Sequence, residues 1–290
     1  MQRQRPPADA TGPEILTSDL RKHRPYVAHA LRDRLRTTFS GERQVSRPRT
    51  FGANARFAIY FAPDVTTSWW QAGCAWLGRD AYSGEPREQP RVGALPCDLA
   101  SLTGLPRRYG WHGTLVAPFR RAAGVTAADV LGATRVWASR QRPFMLEVEP
   151  ATLGDFVALR PRHTNGARQI ETLATDALRS LHALREEPSR ADMERRLQSP
   201  LTERQRALLL EWGYPYVLDE FRFHMTLSDS LDAVSLRQTL QDWWQDRTAE
   251  LGPLFVDRAA IFVEPEPGAP FVLWQTALFQ SRGSDQPMPA

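Results

Sequence analysis

The chain has 290 residues, of which 37 are basic and 33 acidic, giving a formal net charge of +4, and 42% are hydrophobic. A chain of this length can bury a substantial core without covalent staples, and its only cysteines are Cys74 and Cys97, with no CxxC, so a disulfide scaffold or a thiolate metal site is disfavoured. No stretch approaches the ~18 uninterrupted apolar residues of a membrane-spanning helix and the first twenty residues hold no apolar signal core, so a soluble, cytoplasmic protein with no membrane partner is expected.

The positive charge is uneven. Residues 1–50 hold 11 basic and 5 acidic side chains, leaving 26 basic and 28 acidic for residues 51–290. The body is therefore close to neutral, which argues mildly against long nucleic acid as its partner. Residues 1–50 read as a basic, flexible extension, with one amphipathic helix allowed over Pro25 to Phe39, where Val27, Leu31 and Leu35 recur. A basic arm that touches nucleic acid or an acidic partner is the other reading.

The globular body is expected to begin near Arg56, with Phe57 to Phe61 as a half-buried strand ended by Pro63. Thr66 to Arg79 is a predicted helix with a threonine N-cap and Trp69, Gly73, Trp76 and Leu77 at helical spacing. Residues 80–107, dense in Gly, Pro and charge, read as a long surface connection bordering a site. Trp111 to Val116 has strand character and Pro118 is expected to close it; Thr126 to Gln141 is a predicted helix. Phe144 to Val148 and Leu153 to Leu159 suggest a hairpin. Ile170 to Glu187 and Thr202 to Trp212 form a helical region broken by Pro188 and Pro200.

The second half repeats this order. Phe221 to Leu227 is a predicted strand, Val234 to Trp244 a helix, and Phe255 to Val263 and Phe271 to Phe279 two strands about Pro265-Glu266-Pro267-Gly268. The spacings agree: His112 to Phe144 and His224 to Phe255 differ by one residue, and His112 to Val157 and His224 to Val272 by three.

Within this repeat stand two related pentapeptides, Trp111-His112-Gly113-Thr114-Leu115 and Phe223-His224-Met225-Thr226-Leu227. In a strand, His and Thr project from one face and the aromatic and Leu from the other. Two such strands facing one cleft would bring two imidazoles and two hydroxyls together. That set suits phosphodiester cleavage: one imidazole takes a proton from the nucleophile, the other gives one to the departing oxygen, and hydroxyls hold the non-bridging oxygens. An unperturbed histidine pKa of ~6.5 suits both roles. Each tripeptide alone is a weak signal; their shared flanks and downstream order make them one bipartite candidate site.

The paired His-x-Thr strands resemble the 2H phosphoesterase superfamily, which includes 2′,3′-cyclic phosphodiesterases and RNA-ligase-like proteins. The nearer resemblance is to its branch of uncharacterised proteins associated with bacterial phosphonate metabolism, and it covers about Arg56 to Phe279. It is carried by Arg56 to Pro63, Trp76-Leu77-Gly78-Arg79-Asp80, Arg107-Arg108-Tyr109-Gly110-Trp111-His112, the run from Trp212 to His224, and Phe262 to Pro270. Trp111 stands where that branch is expected to hold Phe. The resemblance implies that His112 and His224 are acid and base, that Thr114 and Thr226 bind phosphate, and that no metal or other cofactor takes part. By analogy His224 would activate water and His112 protonate the leaving oxygen.

Arg222 shares the strand parity of His224 and Thr226 and is a candidate phosphate ligand, or else an ion-pair partner of Asp219 or Glu220. Tyr109 is a candidate substrate-binding residue on the approach to the first motif, with Arg107 and Arg108 either beside it or simply solvated. Tyr214 and Tyr216 could stack a base, with packing as their alternative role. His23, His29, His163 and His182 have no partner at useful spacing, and no HExxH, GxGxxG or GxxxxGK[ST] occurs.

The expected architecture is an α+β fold of two pseudo-symmetric lobes, 56–160 and 216–280, each a mostly antiparallel sheet with outer helices, joined by a helical connection over 161–215 and ending in a tail, 281–290. A cleft lies between the sheets, strand exchange between lobes is allowed, and a monomer is expected. The expected activity is metal-independent opening of a cyclic phosphodiester of a ribose or nucleotide. The alternatives are an RNA-end-processing 2′,3′-cyclic phosphodiesterase or 2′–5′ ligase-like enzyme, and a non-catalytic nucleotide-phosphate binding module.

Overall fold

The computed structural model describes residues 50–93 and 95–280. Residues 1–49 of the basic extension 1–50, with its allowed helix, and the tail 281–290 lie outside the described residues. The fold is α+β with antiparallel strand pairing throughout. A four-stranded sheet has the order β2-β1-β8-β9, built from Gly113–Arg120 (β2), Arg56–Phe61 (β1), Arg258–Glu264 (β8) and Val272–Leu278 (β9). A three-stranded sheet joins Val148–Leu153 (β4), Phe156–Pro161 (β5) and Met225–Thr226 (β6), and Phe144–Leu146 (β3) pairs with Leu254–Val256 (β7). Every sheet thus takes strands from both halves of the chain, and strand exchange between the two sequence lobes is extensive.

β1 lies between β2 and β8, and Phe57 to Phe61 are buried on both faces, more than a half-buried strand would be. Helix α1, Ser68–Leu77, starts where the Thr67 hydroxyl accepts from the Trp70 amide at 3.3 Å. It turns Trp69, Trp70, Cys74, Trp76 and Leu77 inward. Gly73 is required on that face. A Cβ there would stand 2.0 Å from the Trp111 indole, so the residue before His112 packs flat on the α1 backbone. Trp111 in turn stacks on Trp244, ring centroids 5.4 Å apart and 11° from parallel. Trp244 belongs to α7, Val234–Leu251, which runs seven residues beyond the sequence-predicted end and stops at Gly252.

The segment 80–107 is more structured than its composition suggests. The Asp80 carboxylate accepts from the amides of Tyr82 and Ser83 and pairs with Arg87, fixing the first turn. A 3₁₀ turn at Leu99–Leu102 leads into a short helix, α2, Gly104–Tyr109. Sequence reading misses α2 because its cap is remote: the Asp229 carboxylate accepts from the amides of Gly104 and Leu105 at 2.8 and 2.7 Å.

Three further expectations are corrected. β2 continues through Pro118 to Arg120, because β2 is the outer strand of its sheet and its register with β1 slips between Phe57 and Tyr60, so a missing amide hydrogen is tolerated. The hairpin is β4–β5 about Gly154-Asp155, while Phe144–Leu146 pairs with a strand over a hundred residues away. Between Pro188 and Pro200 lies one more helix, α5, Arg190–Leu197; it follows α4, Thr164–Leu181, and precedes α6, Glu203–Trp212. α3, Ala127–Ala138, begins with a Thr126/Asp129 capping box. It is tied to α4 by the Trp137 indole N–H, which donates to Asp176 at 2.9 Å.

Replacing Gly73 by Ala forces Trp111 off the α1 backbone. The Gly73→Ala variant is expected to lose about 2–3 kcal/mol of stability, the cost of overpacking a filled core, read as a lowered Tm in thermal denaturation.

Candidate active site

The two His-x-Thr segments behave as extended chains with alternating faces. Trp111, Gly113 and Leu115 are buried, whereas His112 and Thr114 are half-buried on the other side; Phe223, Met225 and Leu227 are buried, whereas His224 and Thr226 face away from them. Only Met225 and Thr226 of the second segment join a ladder, opposite Leu159 and Ala158 of β5. His224 therefore sits just before β6, held by the chain on either side.

The segments approach each other through their apolar faces. A Cβ on Gly113 would meet the Phe223 ring at 2.3 Å and Met225 Cγ at 3.3 Å, so the middle residue of one motif packs on the flank of the other. The Trp76 indole N–H donates to the Leu227 carbonyl at 2.7 Å, tying α1 to the end of the second motif.

Each imidazole is oriented in the same way. His112 Nδ1 lies 2.8 Å from the Gly110 carbonyl and His224 Nδ1 lies 2.8 Å from the Arg222 carbonyl, in both cases two residues back. A carbonyl can only accept, so Nδ1 carries the proton and Nε2 is the unprotonated, accepting nitrogen. His112 Nε2 is 3.4 Å from the Thr114 hydroxyl. The His112 ring stacks on Tyr60, centroids 3.8 Å apart. Burial there pushes the His112 pKa down to about 4; the Gly110 carbonyl opposes the shift and the charge of His224 adds to it. Burial also lowers His224, against the effect of its carbonyl partner. Both rings are therefore biased toward the neutral form.

His112 and Thr226 open on one cleft of about 300 Å³. Tyr109 forms part of its wall, stacked on Phe271 at 5.1 Å and 6.3 Å from the His112 ring. His224 stands beside Phe156, another wall residue, with ring centroids 5.6 Å apart. Arg222 instead turns back on its own chain, donating to the carbonyls of Asp219 and Phe221 at 2.7 and 2.6 Å; Asp219 pairs with Arg204. Arg107 donates to the Leu77 carbonyl, and His163 lies 3.3 Å from Glu147 on the surface. Among the described residues no group of three His, Cys, Asp or Glu side chains is placed to hold a metal ion.

Sequence reasoning missed other residues of the wall, Leu105, Phe156, Ser228, Asp229 and Ser230. The signal available was position: the serines and aspartate leave the second motif directly after Leu227. It also missed Glu264, whose fully buried carboxylate pairs with both Arg56 and Arg108 and accepts from the Gly268 amide at 3.1 Å. Burial pushes this carboxyl up, but the two guanidinium groups outweigh it and hold the pKa below the usual value.

His112 and Thr226 thus share one cleft of an α+β fold, and His224 stands beside a residue of its wall. The chain belongs to the family described as protein of unknown function (DUF1045), whose model matches residues 114–272. It is 37% identical over 243 residues to a protein of Janthinobacterium sp. (strain Marseille) named ribose 1,5-bisphosphate phosphokinase PhnN, covering 81% of this chain and 53% of that protein. It is 40% identical over 232 residues to the protein of the same name from Laribacter hongkongensis (strain HLHK9), covering 79% and 53%. The chain thus spans about half the length of the curated relatives it matches. Among solved structures, E. coli LigT complexed with 3′-AMP is similar at 12% identity and a TM-score of 0.35, over 78% of this chain and 98% of that one. A structure described as a phosphoesterase is similar at 11% identity and a TM-score of 0.36, over 79% and 99%.

Glu264→Gln would leave Arg56 and Arg108 facing a neutral amide. Both guanidinium groups are about a third exposed, so solvent limits the loss, and we expect about 2 kcal/mol at neutral pH from chemical denaturation. A carboxyl held below its unfolded value, ~4.3, contributes stability above that pH and loses it as the pH falls through the folded value, so the wild-type advantage should vanish in acid.

Proposed function

We propose that this protein is a metal-independent phosphodiesterase that opens a cyclic phosphate on a ribose. The single observation that carries the reading is the matched presentation of His112 and His224, each with Nδ1 on a carbonyl two residues back and Nε2 left unprotonated, with Thr114 beside His112 and Thr226 on the same cleft. In this mechanism water attacks phosphorus in line with one ring oxygen. One imidazole takes the water proton, the P–O bond to that oxygen breaks, and the other imidazole protonates it, leaving a phosphate monoester. The threonine hydroxyls donate to the non-bridging oxygens as charge shifts onto them.

The relatives' name points to a particular ribose. One cyclic phosphodiester whose opening yields ribose 1,5-bisphosphate carries phosphate on C5 and a second phosphate bridging the C1 oxygen and its neighbour on C2. We propose that compound, as would arise in phosphonate catabolism, as the substrate, with the P–O2 bond broken. The near-neutral body fits a small substrate better than a long polyanion. The apolar wall of Leu105, Pro106 and Phe156 is the one feature favouring a nucleotide or RNA end instead.

The deeper burial of His112 favours it as the base, neutral in the free enzyme, and leaves His224 as the acid, the reverse of the order implied by the superfamily resemblance. Both pKa values lie below ~6.5, and catalysis needs His112 neutral and His224 charged. The expected kcat/KM profile therefore peaks on the acid side of pH 6.5 and falls above it as His224 loses its proton. A plateau extending to pH 8 would refute this assignment.

Turnover should be measured with EDTA present on a panel of 2′,3′-cyclic nucleotides and 5-phosphoribose 1,2-cyclic phosphate. We expect EDTA-insensitive cleavage that drops about 10²–10⁴-fold in His112→Ala and in His224→Ala, and about 10²-fold in Thr226→Val. No turnover on any member, or undiminished activity in both histidine variants, would sink the proposal.

A further inference from the structure

The sheet face that carries His112 continues away from the cleft. Arg56 and Tyr60 lie on the same side of β1, and β8 places Glu264 and Phe262 opposite Arg56 and Ala58. Four residues of strand separate Tyr60, which holds the His112 ring, from Arg56, or about 13 Å of sheet. There a second cavity of about 290 Å³ opens, walled by Arg56, Arg120, Arg185, Arg196 and Tyr214 among others. The Arg56 guanidinium lies 5.6 Å from the centroid of the Phe271 ring, which stacks on Tyr109 of the catalytic cleft, and the Tyr214 ring sits 5.8 Å from the Arg196 guanidinium.

The charges in this cavity are not all matched. Arg56 pairs with Glu264, Arg120 with Glu186 and Asp192, and Arg195 with Asp192. Arg185 and Arg196 have a different environment. One end of Arg185 donates to the Trp212 carbonyl at 3.2 Å, while its Nε and Nη1 are buried with no acceptor; Arg196 donates to the Gly213 carbonyl. Among the described residues neither forms an ion pair with a carboxylate. The position of Arg185 is not accidental: residues 184–186 bond along the end of β2, the Glu186 amide donating to the Arg120 carbonyl at 2.7 Å and Ala122 to Leu184 at 2.9 Å. Burial and the charge of Arg196 push Arg185 down to about 10. A guanidinium held in place with idle buried donors costs free energy unless an anion fills them.

We propose that the pocket walled by Arg185, Arg196, Arg56 and Arg120 is an anion subsite that takes a second, terminal phosphate of the substrate, while His112 and His224 act on the first. A phosphate offers the paired oxygens that match a guanidinium fork, and a dianion there relieves the repulsion between Arg185 and Arg196. The inference rests on the phosphodiesterase reading, and it makes the 5-phosphate of the proposed substrate the group that selects it.

The test is calorimetric binding to the full chain of two ligands that differ only in the second phosphate, 3′-AMP and adenosine 3′,5′-bisphosphate. We expect the bisphosphate to bind at least tenfold more tightly, the ratio to fall toward one in Arg196→Gln and Arg185→Gln, and Arg185→Lys to retain part of it. Arg196 is only partly buried, so its variant should fold, checked by circular dichroism, even if Arg185→Gln does not. Equal affinity for the two ligands in the wild type, or an undiminished preference in a folded Arg196→Gln protein, would overturn the subsite. If the preference holds but no cyclic phosphate is turned over, the phosphodiesterase reading falls and the subsite stands.

Discussion

Both catalytic candidates hang from one aromatic cluster. Trp111 lies on the bare backbone of Gly73 and stacks on Trp244, and Trp76 reaches from the same helix to the carbonyl of Leu227. The first contact fixes the residue before His112 and the second fixes the residue after Thr226, so α1 and α7 set the spacing of two motifs that are far apart in sequence. Gly113 lets Phe223 close the remaining gap. Because close-packed interiors transmit displacement instead of absorbing it, the distance between the two imidazoles is decided in the core behind them.

In front of that core, electrostatics are set by desolvation and by backbone dipoles. Among the described residues neither histidine has a carboxylate partner of the kind that would hold it charged; each has a carbonyl two residues back. Such a carbonyl fixes the tautomer without adding a full negative charge, and burial then favours the neutral ring. Tyr60 deepens this for His112 by covering one ring face. An anionic substrate entering the site would push both values upward again, so ligand binding and imidazole charge are coupled.

The parts legible in the sequence are those governed by short periods. Alternation by two assigns His112 and Thr114 to one face and Trp111 and Leu115 to the other, and the burial pattern follows it through Leu227. The α1 stripe of Trp69, Trp76 and Leu77 is legible by its helical period. What escapes is tertiary. The α2 helix depends on Asp229, a carboxylate 125 residues away, and its Pro106 argues locally for a loop. The apolar run at Phe144 is a plausible hairpin partner until β7 is seen to pair with it. Arg185 carries no local motif; its significance comes from two buried guanidinium nitrogens with no hydrogen-bond partner among the described residues, which only three-dimensional packing reveals.

The remote cap on α2 also bears on how the molecule is made. Tyr109 sits on a helix whose first amides wait for a carboxylate near the end of the second motif, and β1 has a neighbour, β8, that begins at Arg258. A growing chain emerging from a ribosome holds the first motif long before either partner exists. Such long loop closures slow folding and leave sheet edges open in the interim. The first half alone is thus an intermediate whose central strand is paired on one side only, and the order of synthesis makes this site one that appears all at once, late.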